Sequence, residues 1–158
     1  MQEDFSLRGC YMLTAHDAKT GRLLKAWRLD NQLTAINRDI RTQMIMGTYA
    51  GAGDELTIKY FAFGDGSTPA AVTDTALENE RPRKQVTPLT QPSANTVQSI
   101  VSLGSGEANF VIREIGVFCG PNATDAAGSG TLLSRVIVNV DKNSNIILNV
   151  VRSDICTI

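Results

Sequence analysis

Few side chains in this sequence are able to do chemistry. Cys10, Cys119 and Cys156 could each supply a nucleophile, but a thiol needs a base, and the one histidine, His16, stands beside Asp17 in a polar run over residues 15–21. That run reads as a hairpin turn, so a Cys–His pair would rest on a loop. The cysteines are widely separated and lack C-x-x-C spacing, so they read as buried, reduced thiols rather than a disulfide framework or a zinc knuckle. Asp74, Glu78 and Glu80 could form a carboxylate pair, with Arg81 and Arg83 as clamps. No histidine, sugar-stacking aromatic or second acidic cluster accompanies them. Ion pairing across a subunit boundary is therefore the expected role of these five residues, together with Asp65.

Glu114 is placed differently, inside the apolar strand pattern of residues 110–118 and on the expected face of Ile112 and Phe118. A carboxylate there is costly unless an arginine or backbone donors satisfy it. Arg81, Arg83 and Arg135 are the candidates, and Glu114 with Arg135 is the buried ion pair adopted.

Two further motifs resolve into turns. Gly64, Asp65, Gly66 and Ser67 suggest a phosphate loop, but the Lys-Ser/Thr pair and the following helix are missing, so a tight turn with positive φ is expected. Asp141, Asn143 and Asn145 have the opening spacing of a calcium loop. Ile146 and Arg152 stand where that loop needs glycine and glutamate, so this stretch and Gly104-Ser105-Gly106 read as hairpin turns. No catalytic residue, cofactor or metal ligand emerges.

The elements that must position these residues follow from periodicity. Strands are expected over residues 7–14, 22–29, 56–63, 84–89, 96–103, 109–118, 132–140 and 145–151, with turn residues between them. Ile36, Ile40 and Met44 recur at helical spacing, so one helix is expected over about 34–46, capped by Thr34 and stopped by Gly47. Its wet side would carry Arg38, Asp39, Arg41 and Gln43. Trp27 reads as a core or interface anchor. The expected fold is mainly β: a sandwich of about seven or eight antiparallel strands, with the helix at an edge or end. Residues 1–158 form one domain in this reading, with a long connection at 64–83 as a contact surface. Leu56, Ile58, Tyr60, Ile112, Phe118, Val136 and Val138 should share one core.

Composition agrees with a single core: 158 residues, 42% of them hydrophobic. With 15 basic against 16 acidic residues the formal charge is −1, so no overall field favours nucleic acid or an anionic membrane. The acidic first residues do not resemble a secretory signal, and no long apolar run is present, so a soluble chain made in the cytosol is expected.

The ordered set of motifs carries a resemblance. Asn31-Gln32-Leu33-Thr34 precedes the helix; Ile58, Tyr60, Ala62, Gly64 and Gly66 follow; then come Asp74, Thr75, Leu77 and Glu80 with Arg81 and Arg83, then Ile112, Glu114, Ile115, Gly116, Val117 and Phe118, and finally Gly130, Leu132, Leu133 and Arg135. Over about residues 31–140 this order resembles structural proteins of tailed-phage virions, of the tail-fibre, baseplate or collar type. The resemblance implies a non-enzymatic virion protein that oligomerises and binds other phage structural proteins, with no nucleic-acid or membrane partner. A capsid decoration or head-fibre protein is a variant of this reading. The alternative from another class is a host-glycan-binding sandwich using Trp27, Tyr49 or Tyr60, although 6% aromatic residues is thin material for it.

Overall fold

Alternation builds the long strands: in the segment around Val136, Val138 and Val140 the valines are buried, while Asn139 and Asp141 between and after them are exposed. The computed structural model describes residues 6–46, 48, 50, 51 and 54–157. Its elements are β1 (Ser6–Asp17), β2 (Leu23–Asp30), β3 (Gln32–Leu33), α1 (Ala35–Met46), β4 (Ile58–Gly64), β5 (Glu80–Gln85), β6 (Leu89–Ser93), β7 (Thr96–Leu103), β8 (Val111–Cys119), β9 (Thr131–Asp141) and β10 (Ile146–Thr157). They form two antiparallel sheets, ordered β2-β1-β10-β7-β6 and β3-β9-β8-β4-β5. The architecture is mainly β, as the alternation implies.

The core lies between the sheets. Tyr11 and Leu13 of β1 and Leu148 and Val150 of β10 meet Phe61 and Phe63 of β4, Ile115 and Val117 of β8, and the β9 valines. Tyr11 packs edge-on against Phe61, with ring centroids 6.1 Å apart, and its hydroxyl hydrogen-bonds the Ser134 hydroxyl at 2.8 Å, joining one sheet to the other.

Ten described strands replace the expected seven or eight, for local reasons. The expected strand 84–89 is two strands in different sheets: β5 pairs with β4, the chain crosses at 86–88 through a cis Thr87–Pro88 bond, and β6 pairs with β7. Pro92 is tolerated in β6 because this strand is a sheet edge. Residues 104–110 and 142–145 also cross between sheets, so neither is a hairpin turn. The expected strand 145–151 runs on to residue 157, and its inward positions beyond Val150 are Arg152 and Asp154, joined by a 2.6 Å hydrogen bond from Arg152 Nη2. Phe118 and Tyr60 leave the expected common core: with Leu77, Ala62, Ala123 and Leu132 they form a second cluster.

The helix also departs from expectation. Thr34 does not cap it; its hydroxyl donates to the Leu132 carbonyl of β9 at 2.8 Å, and the Ala35 amide donates to the Val72 carbonyl at 2.8 Å. This anchoring turns Asn37 inward and leaves Ile36 exposed, while Arg41 is half-buried and donates to Asn37 Oδ1 at 2.6 Å. The expected stop at Gly47 and the Met44 side chain lie outside the described residues. No helix among the described residues is long and apolar enough to cross a membrane.

Candidate functional site

The acids and bases singled out above converge on one side of the β3–β9–β8–β4–β5 sheet. A register shift between Ile112 and Glu114 separates their faces: Ile112 joins the inter-sheet core, and Glu114 turns to the opposite side, with Gly116 and Phe118. There Glu114 is completely buried under residues 65–79. Its Oε1 accepts from the Asn79 amide at 2.8 Å and the Gly66 amide at 3.2 Å; its Oε2 accepts from the Glu78 amide at 3.0 Å and from Arg135 Nε at 2.8 Å.

Arg135, 3% exposed, is the hub of the charges. Its Nη1 donates to Asp74 Oδ2 at 3.0 Å, and its Nη2 stands 3.8 Å from Glu78 Oε2. Burial opposes the guanidinium charge, but the hydrogen bonds to Glu114 and Asp74 outweigh it and raise the pKa above the usual arginine value. Glu78 also accepts from the Thr68 amide at 2.8 Å, which holds its carboxyl below the usual range.

The remaining predicted residues form two neighbouring pairs. Asp65 meets Arg81 Nε at 3.0 Å and accepts from Asn79 Nδ2. Glu80 pairs with Arg83, whose Nη1 also donates to the Ser129 carbonyl at 2.7 Å and the Thr124 carbonyl at 3.1 Å, pinning β5 to the β8–β9 connection. The guanidinium of Arg83 lies 3.9 Å over the Phe118 ring. Glu80 and Arg83 thus have buried side chains, while Asp65, Glu78 and Arg81 keep partial exposure.

Gly64 and Gly66 do not adopt the expected positive φ. Among the described residues positive φ is found instead at Gly21, Gly120, Gly128 and Gly130, and at Ala108. What Gly64 and Gly66 supply is room: a Cβ on either would stand 2.5 Å from Glu114 Oε1. At Gly116 the competing atom is Leu77 Cδ1, so Leu77 closes the connection over the sheet in the space a side chain would take. The alternate-residue glycines opposite a strand carboxylate were the available signal for this arrangement.

With both oxygens hydrogen-bonded and no solvent contact, Glu114 has no lone pair presented for proton transfer. The arrangement holds the 65–79 connection from beneath, and the exposed residues of that connection are 67–69, 71–73, 75–76 and 78–79. Other candidates lie apart. His16 is in β1, its Nδ1 bonded to the Gly21 carbonyl at 3.1 Å. Cys119 is buried, with its thiol pKa pushed up to about 11 by desolvation; Cys10 is half-buried, and the Cys156 side chain lies outside the described residues. Trp27 packs partly against the main core with Lys25 Nζ 4.9 Å over its ring, Tyr60 packs against the second cluster, and Tyr49 lies outside the described residues. Among the described residues no three His, Cys, Asp or Glu side chains are grouped to hold a metal.

Residues 42–151 match a family model described as phage tail-collar fibre protein, N-terminal. No curated protein and no solved structure shows significant similarity.

Proposed function

Because this chain belongs to the phage tail-collar fibre protein family and is a structural component of the virion, we propose that it works as one domain that oligomerises and attaches a fibre to neighbouring tail proteins. The contact surface in this reading is the 65–79 connection with its partly exposed Asp65 and Glu78, together with Arg81 of the adjoining β5. One observation carries the assignment. Glu114 and Arg135 hold a long connection in a single shape from beneath, while its tip, including the half-exposed Val72, is left to face outward. A pre-shaped loop loses less entropy on docking than a mobile one.

The test is deletion of residues 69–73, which removes the tip and leaves Asp74 for Arg135. The deleted chain should keep cooperative thermal unfolding and fail to enter tails assembled without the native protein. Normal incorporation would move the contact surface elsewhere, most simply to the β1–β2 hairpin around residues 14–22.

A further inference from the structure

The two sheets are finished differently on their outer faces. That of β3-β9-β8-β4-β5 lies under the 65–79 connection and the 124–129 stretch held by Arg83. That of β2-β1-β10-β7-β6 is open: its outward side chains are exposed or half-buried, with Met12 at its middle 52% exposed. An antiparallel sheet that faces water normally sets polar and charged residues outward. Here the outward positions of the three central strands, within residues 10–16 of β1, 147–155 of β10 and 98–102 of β7, hold no Asp, Glu, Lys or Arg.

The registers arrange these positions in rows. Met12, Val151 and Ile100 stand side by side as an apolar ridge across the three strands. On either side of the ridge polar side chains already bond one another: the Ser102 hydroxyl donates to Asn149 Oδ1 at 2.7 Å, and Gln98 Nε2 donates to the Ser153 hydroxyl at 3.1 Å. Partners within the face reduce the cost of burying these groups. Charge returns at the rim, with Arg28 and Asp30 on β2 and Arg8 near the start of β1. An apolar, uncharged centre inside a charged rim is the composition of a protein interface.

Size and charge name the occupant. Five strands about 4.8 Å apart, each contributing about eight residues at roughly 3.3 Å, make a face of roughly 600 Å² in projection, and the pleated surface exceeds its projection. That is the scale of a stable interface, about 800 Å² per partner. Foreign partners are commonly selected by complementary charge, which the centre of this face does not offer. An identical face needs none. Across a two-fold axis ridge meets ridge, no like charges oppose each other at the centre, and the sheets stack as they do inside the sandwich.

We propose that this chain self-associates through the open face of the β2-β1-β10-β7-β6 sheet, packed on the same face of a second copy with Met12, Val151 and Ile100 at the centre. The proposal rests on the oligomer of the attachment reading and gives it a surface. The 65–79 connection, on the opposite side of the sandwich, stays free for other tail proteins.

Analytical ultracentrifugation of the full chain should show a dimer that dissociates reversibly on dilution. Met12→Lys and Val151→Lys each place a charge in the ridge and should raise the dissociation midpoint by roughly tenfold or more, with native circular dichroism, while Met12→Leu should leave it within about twofold. Benzoylphenylalanine at position 12, irradiated in an equal mixture of unlabelled and isotope-labelled chains, should give mixed cross-links to peptides of β1, β7 or β10; this readout decides if a lysine variant fails to fold. An oligomer that both lysine variants leave intact, or mixed cross-links confined to other elements, overturns the proposal and leaves the attachment reading standing. A chain that is monomeric at every concentration overturns the proposal and removes the oligomer from that reading, while the 69–73 deletion still decides attachment.

Discussion

Arg135 Nε donates to Glu114 Oε2 at 2.8 Å between adjacent strands β9 and β8, with Glu114 fully buried and Arg135 nearly so. Such a pair is not by itself a source of net stability, since desolvating both charges offsets their attraction. Its effect is positional, because the same carboxylate also collects the amides of Gly66, Glu78 and Asn79 from the connection above. Removing one partner leaves the other uncompensated.

Glu114→Gln should therefore destabilise the fold by about 3 kcal/mol, near the lower end for breaking a buried pair, because Asp74 still bonds Arg135. Urea unfolding would measure it. Limited proteolysis should find new cleavage within residues 65–79; a change under about 0.5 kcal/mol with no new cleavage would show that the connection holds its shape without Glu114.

Leu77 and Gly116 should behave as a coupled pair. Leu77→Ala opens a cavity over the sheet and should cost about 2–4 kcal/mol, and Gly116→Ala should cost about 1–3 kcal/mol by driving its methyl into Leu77. In the double variant the new methyl occupies part of the vacated space. Its loss should be smaller than the sum by at least about 0.5 kcal/mol, and strict additivity in denaturant unfolding would refute the contact.

Cys119 should be inert in the native protein. Burial disfavours its thiolate, raising the thiol from its ordinary 9.0 to about 11, while Arg152 and Arg41 pull weakly the other way. The folded value is the higher one, so this contribution to stability is complete below pH 9 and is lost as the pH rises from 9 towards 11. Cys119→Ala should flatten that part of the stability profile. Peptide mapping after thiol labelling at pH 8 should find Cys119 modified only in denaturant, and rapid native labelling would place it at the surface.

Legibility tracked alternation. The segments that became β7, β8 and β9 announced themselves because they are rich in valine, isoleucine and leucine and bounded by turn residues, with strict alternation at Val136, Val138 and Val140 of β9. β5 did not: Glu80–Gln85 is charged and contains Pro82, and it is a strand because it pairs with β4 at a sheet edge. The burial of Glu114 could be read from its apolar neighbours, but its face could not, since the register shift after Ile112 reverses the alternation. The helix face misled for a related reason. Ile36 and Ile40 define a stripe in sequence, yet Thr34, tied to β9, sets the rotation. Arg152 and Asp154 ended the apolar pattern of β10 in sequence while continuing inward in space.

The first and last described strands run side by side, with Ser6 opposite Thr157. Tension applied between these two ends would part the β1–β10 ladder rung by rung, like a zipper, because both attachment points sit at the same end of an antiparallel pair.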